Sequence, residues 1–156
     1  MEFVSPTKGP LGFEQMFSAL VEYIEEDTDH QYNLIIGTDS MLTEETTFVT
    51  AVVIHRVGRG GRYFYRKEKR RKIDSLRQRM FYETALSLET AGKLTAELSK
   101  NGYAKLPVAI HLDVGEIGET RAIIREVVGM VNGSGYHAVV KPDAYGATKV
   151  ADRHSK

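Results

Sequence analysis

Residues 33–40 (Asn-Leu-Ile-Ile-Gly-Thr-Asp-Ser) limit the possible fold of this chain more than any other segment. The three consecutive apolar residues at 34–36, two of them β-branched, predict a buried strand in the middle of a sheet. The apolar run stops at Gly37, and Asp39 follows between two hydroxyl residues. A carboxylate where a buried strand ends lies at the rim of a sheet, where α/β proteins usually bind ligands. An aspartate in this position is also a common turn residue, so Asp39 alone does not define a site.

The rest of the chain shows helical and β periodicity in the order α-β-β-β-α-β-α-β-α. Residues 1–11 contain Pro6, Gly9 and Pro10 and are expected to form an irregular arm. Beyond the strand that ends near Gly37, the predicted strands are 46–56, 62–69, 107–112 and 136–140, and the predicted helices are 13–26, 75–100, 119–131 and a short final one that begins at 144 or 147.

The order of these elements predicts the topology of the sheet. Short connections make the first three strands an antiparallel meander. The helix at 75–100 is a crossover, and a right-handed crossover places the strand at 107–112 parallel to the first strand and beside it. The fold class is therefore α/β, with a five-stranded mixed sheet of three antiparallel and two parallel strands, flanked by helices. Residues 1–156 are expected to form a single domain, with an arm and helix at 1–30 and the core at 31–156.

The composition excludes several classes of protein. The chain has no cysteine, so it contains no disulfide framework and no thiolate metal site. No apolar run approaches the ~18–20 residues of a membrane span. The N-terminus also lacks the basic start and the apolar segment of a signal peptide. We therefore expect a soluble cytoplasmic protein that does not interact with membranes.

The formal net charge is zero, but positive charge is concentrated between residues 62 and 79. In this segment nine lysines and arginines stand against only Glu68 and Asp74. Such a basic segment either contacts the phosphates of nucleic acid or is a solvated connection between a strand and a helix. The basic residues are Arg62, Arg66, Lys67, Lys69, Arg70, Arg71, Lys72, Arg77 and Arg79.

Further carboxylates are predicted near Asp39. Asp113 follows the fourth predicted strand, and the equivalent ends of two adjacent parallel strands would bring it close to Asp39. Glu83 lies three residues from both Met80 and Leu86, so it shares the core-facing stripe of the long helix. A carboxylate on such a stripe is either at its solvated margin or directed at a group that needs negative charge.

Asp152, on the predicted final helix, can reach the same place. Four carboxylates in one place oppose each other's ionisation unless a cation is present. Carboxylate oxygens suit hard divalent metals, and two such ions about 3.5–4 Å apart can activate water and stabilise the leaving oxygen of a phosphodiester. The sequence therefore predicts a site for one or two Mg²⁺ or Mn²⁺ ions.

Three segments resemble a known family: I-G-T-D-S at 36–40, H-L-D-V-G-x-x-G-E-T-R at 111–121 and K-P-D-A-Y-G-A-T-K-V-A-D-R-H-S-K at 141–156. Together with the order of strands and helices, they resemble the ribonuclease H-like superfamily and, more narrowly, the YkuK family of uncharacterised bacterial proteins. The resemblance covers nearly the whole chain, including the N-terminal helix. It implies a ribonuclease H-like fold with an extra N-terminal helix, and a nuclease activity inferred from that fold.

The resemblance also implies roles for individual residues, among them His154, which is a further catalytic candidate because it could shuttle a proton. The catalytic and metal-binding Asp-Glu-Asp-Asp set of the superfamily maps onto Asp39, Glu83, Asp113 and Asp152. The alternatives among neighbouring acidic residues are Glu89 and Glu97 for Glu83, Asp143 for Asp152, and Glu116 and Glu119 beside Asp113. The residues expected to bind nucleic acid are Arg66, Lys67, Arg70, Arg71, Lys72, Lys149 and Arg153.

The main hypothesis is a divalent-metal-dependent nuclease that hydrolyses phosphodiester bonds, with the basic segment holding the backbone of its substrate. The alternative is a non-catalytic ribonuclease H-like module that binds nucleic acid or a protein partner. A third hypothesis is an unrelated α/β protein whose carboxylates are turn and cap residues. The sequence leaves open whether the substrate is DNA, RNA or a hybrid, whether cleavage is internal or from an end, and which oligomeric state the protein adopts.

Overall fold

The computed structural model describes residues 2–114 and 121–140, together with Val150 and His154. The strands in these residues are β1 (Glu2–Ser5), β2 (Gly9–Gly12), β3 (Tyr32–Leu42), β4 (Thr46–Arg56), β5 (Gly61–Arg70), β6 (Val108–His111) and β7 (His137–Val139). The helices are α1 (Phe13–Glu25), α2 (Leu76–Lys100) and α3 (Ile124–Gly133), which follows a 3₁₀ turn at Arg121–Ile123. All seven strands form one mixed sheet in the order β2-β1-β5-β4-β3-β6-β7.

The middle of this sheet has the predicted topology. Strand β3 pairs antiparallel with β4 and parallel with β6, β4 pairs antiparallel with β5, and β6 pairs parallel with β7. The expected end of the first strand near Gly37 was wrong, because β3 continues to Leu42. Strand β4 offers backbone partners along this whole extension, from the Thr38–Thr50 pair to the Leu42–Thr46 pair. Asp39 therefore lies within a paired strand and is not a turn residue.

The predicted five-stranded sheet was also wrong, because the sheet has seven strands. The two additional strands are β1 and β2, an antiparallel hairpin in the segment that was expected to be an irregular arm. Strand β1 joins the sheet beside β5 through the Val4–Tyr65 pair. Consequently β5 is an internal strand and not near an edge.

The turn and edge residues of this hairpin explain the wrong prediction. Gly9 has a φ of +75°, which favours glycine, and Ser5 Oγ accepts a hydrogen bond from the backbone N–H of Lys8 at 3.1 Å. Pro10 lies in β2 at the edge of the sheet, where a missing N–H is tolerated. The neighbouring Phe3 is completely buried in the main core, which anchors the hairpin.

The two faces of the sheet have different neighbours. Alternate residues of β3 and β4, such as Leu34 and Ile54, pack in the main core together with residues of all three helices. The other set of alternate residues includes Ile35, Gly37 and Asp39 on β3, and we call this side the Asp39 face. On this face Val49, Ala51, Ile35, Val53, Tyr65 and Val150 form a second, smaller cluster.

The helix predictions from periodicity are largely confirmed. Helices α1 and α2 begin and end within one residue of the predicted positions, and Ser75 Oγ caps α2 by accepting a hydrogen bond from Gln78 N at 3.2 Å. The predicted helix at 119–131 corresponds to α3 and its preceding 3₁₀ turn. Of the predicted final helix, only Val150 and His154 are described, and both are helical. No helix in the described part of the chain combines the length and the apolar character needed to cross a bilayer.

Candidate functional site

Glu83 is a buried carboxylate at the interface between α2 and β3. It is only 4% exposed, because it lies on the helix face that packs against the sheet. Its Oε2 atom accepts a hydrogen bond of 2.5 Å from Ser40 Oγ. The prediction that Glu83 shares the core-facing stripe of its helix with Met80 and Leu86 is therefore confirmed.

A row of hydrogen-bonded hydroxyl groups holds α2 in place next to Glu83. Thr38 Oγ1 is hydrogen-bonded to Ser87 Oγ at 2.7 Å and to Thr50 Oγ1 at 3.1 Å. Thr38 and Ser40 lie two residues apart on the same face of β3, and Glu83 and Ser87 lie one helical turn apart on α2. The Thr38–Ser87 and Ser40–Glu83 hydrogen bonds therefore follow one another along the interface between strand and helix. A buried polar network whose members are paired in this way fixes the relative position of its elements.

The electrostatic environment of Glu83 links it to both predicted aspartates. Burial raises the pKa of Glu83 well above its usual value of 4.5, whereas the hydrogen bond from Ser40 lowers it. The negative charges of Asp39 and Asp113 raise this pKa further, and the positive charge of Arg79 lowers it. Both aspartates are therefore close enough to act on the buried carboxyl group.

Strand register relates Asp39 to Asp113, and a small cavity relates Glu83 to Asp113. The last parallel pair of β3 and β6 is Gly37–His111, and Asp39 and Asp113 each follow two residues later. Glu83 and Asp113 also line a common cavity of about 10 Å³ between α2 and the end of β6. A cavity of this size is close to the minimum that holds one water molecule.

The other acidic residues of α2 are not part of this arrangement. Glu89 is exposed, and Glu97 lies near the opposite end of the helix, where it pairs with Lys100 at 3.3 Å. Of the three glutamates on this helix, Glu83 is therefore the one that is buried against β3, and its role as a ligand stays a prediction.

The complete four-carboxylate site stays a prediction. Within residues 2–114 and 121–140 and at positions 150 and 154, no group of three or more His, Cys, Asp or Glu side chains is arranged to hold a metal ion. The predicted fourth ligand, Asp152, lies outside the described residues. So do Glu116, Glu119, Asp143, Lys149 and Arg153.

His154 lies against two tyrosines of β5. Its Nε2 atom is 3.2 Å from Tyr63 Oη, and its ring stacks on Tyr65 with the centroids 3.9 Å apart and the planes 12° apart. Both tyrosines belong to the Asp39 face, since Tyr65 is paired with Ala51 and Tyr63 with Val53. The contribution of the tyrosines was missed, although their alternation in the sequence Arg-Tyr-Phe-Tyr-Arg could have indicated an aromatic face.

The basic segment is divided between the two faces of the sheet. Arg66 Nη1 lies 2.8 Å from Glu68 Oε1, and Arg70 both pairs with Glu68 and donates from Nε to Tyr82 Oη at 2.9 Å. These side chains share the face on which the helices pack, because Glu68 is paired with Phe48. Arg66 and Arg70 are thus engaged within the protein, and their role in nucleic-acid binding stays a prediction.

Lys67 and Lys69 alternate with these arginines and lie on the Asp39 face, where both are exposed. Lys67 is paired with Val49, which is itself paired with Asp39 on the next strand. Two strand spacings of about 4.8 Å therefore separate the backbones of Lys67 and Asp39, about 10 Å in total. Lys67 is the basic residue of β5 that the register places in line with Asp39.

Four further basic residues lie between β5 and α2 or in the first turn of α2. Lys72 is 3.7 Å from Asp74, and Arg77 contacts Glu126 of α3 at 2.6 Å. Arg79 donates to the backbone carbonyl of Ile73 at 2.8 Å. Arg71 is exposed, so Arg71 and Lys72 stay candidates for contacts with phosphate groups.

The chain is similar to a known family and to a known bacterial protein. A family described as ribonuclease H-like matches residues 15–156, a region that runs from α1 to the last residue and contains all the predicted ligands. The chain is also similar to a Bacillus subtilis (strain 168) protein described as uncharacterized protein YkuK. The two are 32% identical over an alignment of 167 positions, which covers 99% of this chain and 96% of that protein. No solved structure matches the chain.

Proposed function

The chain belongs to the ribonuclease H-like family, and on this premise we propose that it is a divalent-metal-dependent nuclease. Family membership by itself indicates a function related to nucleic acid. The observation that carries the finer proposal is the buried Glu83 carboxyl group, on which the charges of Asp39 and Asp113 both act. The proposed ligand set is Asp39, Glu83, Asp113 and Asp152.

The chemistry of these side chains suits Mg²⁺ or Mn²⁺, which members of this family commonly use. Carboxylate oxygens are the donors that such hard cations prefer. Burial and two like charges raise the pKa of the Glu83 carboxyl group. A bound cation would lower this pKa again and so favour the ionised form that acts as a ligand. When bound, the ion would supply Lewis-acid chemistry, because it acidifies water and neutralises charge on a phosphodiester.

The residues of the chain have distinct roles in this proposal. Asp39 provides a carboxylate from β3 and Asp113 one from the segment that follows β6, and Ser40 orients the Glu83 carboxylate through its hydrogen bond. His154 serves as a proton carrier whose ring orientation is supported by the contacts with the tyrosines of β5. Lys67 and Lys69 hold the phosphates of the substrate on the Asp39 face.

The test of this function is cleavage by the purified protein across a panel of single-stranded, duplex, hybrid and branched DNA and RNA. Cleavage is expected with Mg²⁺ or Mn²⁺ and none with chelator. Ca²⁺ should support it poorly, since its more flexible coordination does not hold a reactive geometry. Binding of nucleic acid without cleavage in any metal would instead favour the non-catalytic module.

The two exposed lysines of β5 give a separate prediction about binding. Replacing both Lys67 and Lys69 by alanine should weaken binding of nucleic acid about 5–10-fold at moderate salt, with the same loss for different sequences, because the lost contacts are with phosphates. The slope of log K against log salt should fall in magnitude by roughly 1.4–1.8, as expected for two phosphate contacts. Fluorescence anisotropy across a salt series measures both quantities.

A matched control removes the same amount of charge elsewhere. Lys93 and Lys100 are exposed on α2, and replacing both by alanine should leave the affinity and the salt slope nearly unchanged. Equal effects of the two double substitutions would mean that only the net charge matters and that β5 is not the contact surface.

A further inference from the structure

A groove on the helical side of the protein lies between α1 and the C-terminal end of α2. Its volume is about 710 Å³, within the range of clefts that bind ligands or partner side chains. Three apolar residues, Phe13, Phe17 and Val21, form its floor at intervals of four residues along α1. This spacing places them in one row on the helix surface, about 12 Å long at 1.5 Å per residue. All three are half-buried and pack on the main core from one side.

The rim of this groove is acidic. Ten residues line it, and five of them are glutamates, whereas none is a lysine, arginine or histidine. Arg56 lies 3.9 Å from Glu26, and Lys100 lies 3.3 Å from Glu97. Among the described residues, no ion pair is formed by Glu14 or Glu22. The glutamates of the rim are Glu14, Glu22, Glu25, Glu26 and Glu97.

We propose that this groove binds a basic amphipathic helix of a partner protein. The apolar row matches the i, i+4 anchors of a helix laid in a groove, and its length corresponds to about two helical turns. Lysine or arginine side chains beside those anchors would meet the glutamates of the rim, so the charges of partner and groove are complementary.

The same features argue against other occupants. Nucleic acid would bring phosphates against five glutamates, so this surface does not extend the substrate-binding surface. A symmetric contact between two copies would place α1 against α1 and juxtapose the same glutamates, which like-charge repulsion disfavours.

The groove is distant from the proposed nuclease site. Glu97 at the groove and Glu83 at the site are on the same helix, about 21 Å apart along its axis at 1.5 Å per residue. The proposal therefore does not depend on the nuclease proposal, and the partner would dock without covering the carboxylates.

A pair of synthetic peptides tests the groove directly. One peptide of about 18 residues carries leucines on one helical face and lysines and arginines on the other, a length at which an isolated helix begins to be stable. The matched peptide carries glutamates in place of its basic residues. We expect the basic peptide to bind the full-length protein with a Kd on the order of 10–100 μM in fluorescence polarisation. The acidic peptide should not bind.

Two double charge reversals distinguish the groove from general attraction. Glu14→Lys with Glu22→Lys changes the rim and should weaken binding of the basic peptide at least about tenfold. Glu44→Lys with Glu45→Lys makes the same change in net charge at the exposed turn between β3 and β4, and it should change the affinity less than about twofold. Circular dichroism of both variants checks that the fold is retained.

Three outcomes would overturn the proposal. The first is equal weakening by the two double reversals, and the second is binding of the acidic peptide as tightly as the basic one. The third is sedimentation showing that the protein dimerises and that the rim variant is monomeric, since a second copy would then occupy the groove.

Discussion

Replacing Asp39 by asparagine is expected to reduce metal-dependent cleavage at least about 100-fold, the kind of loss seen when a group that acts in the transition state is removed. The substitution removes one negative charge and nearly preserves the shape of the side chain. The fold should not depend on this charge, because Asp39 is held in β3 by backbone pairing opposite Val49. Initial rates on the best substrate of the panel, measured in Mg²⁺ and in Mn²⁺, give the ratio.

The corresponding change at Asp113 should have a similar effect, and the double variant should be little worse than either single one. When several residues act on one metal site, removing any one of them removes most of the function of the site. The effects of the single substitutions on the rate are therefore not additive. Asp29→Asn is the matched control, since Asp29 is exposed in the connection between α1 and β3. Full activity in the Asp39 variant, with the control equally active, would remove Asp39 from the catalytic set.

The elements of this fold that depend on local patterns could be predicted from the sequence. The helical period places Glu83 with Met80 and Leu86, and Ser75 is a favourable cap, so α2 and its inward carboxylate follow from nearby residues alone. The parallel placement of β6 beside β3 follows from the handedness of crossover connections. From these arguments the sequence predicts that Asp39, Glu83 and Asp113 lie near one another.

The elements that depend on distant partners could not be predicted in this way. The N-terminal hairpin contains residues typical of irregular chain, and only its pairing with β5 and the burial of Phe3 make it part of the sheet. The length of β3 likewise depends on the partners that β4 offers beyond Gly37. Strand propensity is a weak signal because packing against neighbouring strands decides the outcome.

The distribution of the basic residues of β5 over the two faces of the sheet could be predicted only in part. The alternation of β5 is visible in the sequence, and it separates Lys67 and Lys69 from Arg66 and Arg70 once the segment is taken as a strand. Which of the two faces carries Asp39 depends on the register between β3, β4 and β5. A total count of positive charge therefore overstates the number of side chains that can contact a substrate near the carboxylates.

Glu83→Gln is expected to stabilise the metal-free protein at pH 8, by on the order of 1–3 kcal/mol. The unfolded glutamate is ionised at this pH, so on folding it either keeps its charge beside Asp39 and Asp113 or takes up a proton, and both cost free energy, whereas glutamine is neutral. The amide oxygen can still accept the hydrogen bond from Ser40 Oγ, so the variant loses little in structure. Urea unfolding with chelator, followed by circular dichroism at several pH values, measures the difference in the free energy of unfolding.

The dependence on pH has a definite sign. Because the folded protein raises the pKa of Glu83, the stability that its protonated form contributes is fully present below the usual value of 4.5. This contribution is lost as the pH rises through the higher pKa of the folded state. The advantage of the glutamine variant should therefore be small near pH 4.5 and should grow toward pH 8.

Divalent metal should reverse the order of stability. Millimolar Mg²⁺ or Mn²⁺ should stabilise the parent protein by mass action and the glutamine variant less, since one ligand is missing. Glu89→Gln is the control on the same helix, and because Glu89 is exposed the change in stability should stay within about 0.5 kcal/mol at every pH. If the Glu83 variant were less stable at all pH values and the parent were indifferent to metal, the buried carboxylate would be a structural group and no metal ligand.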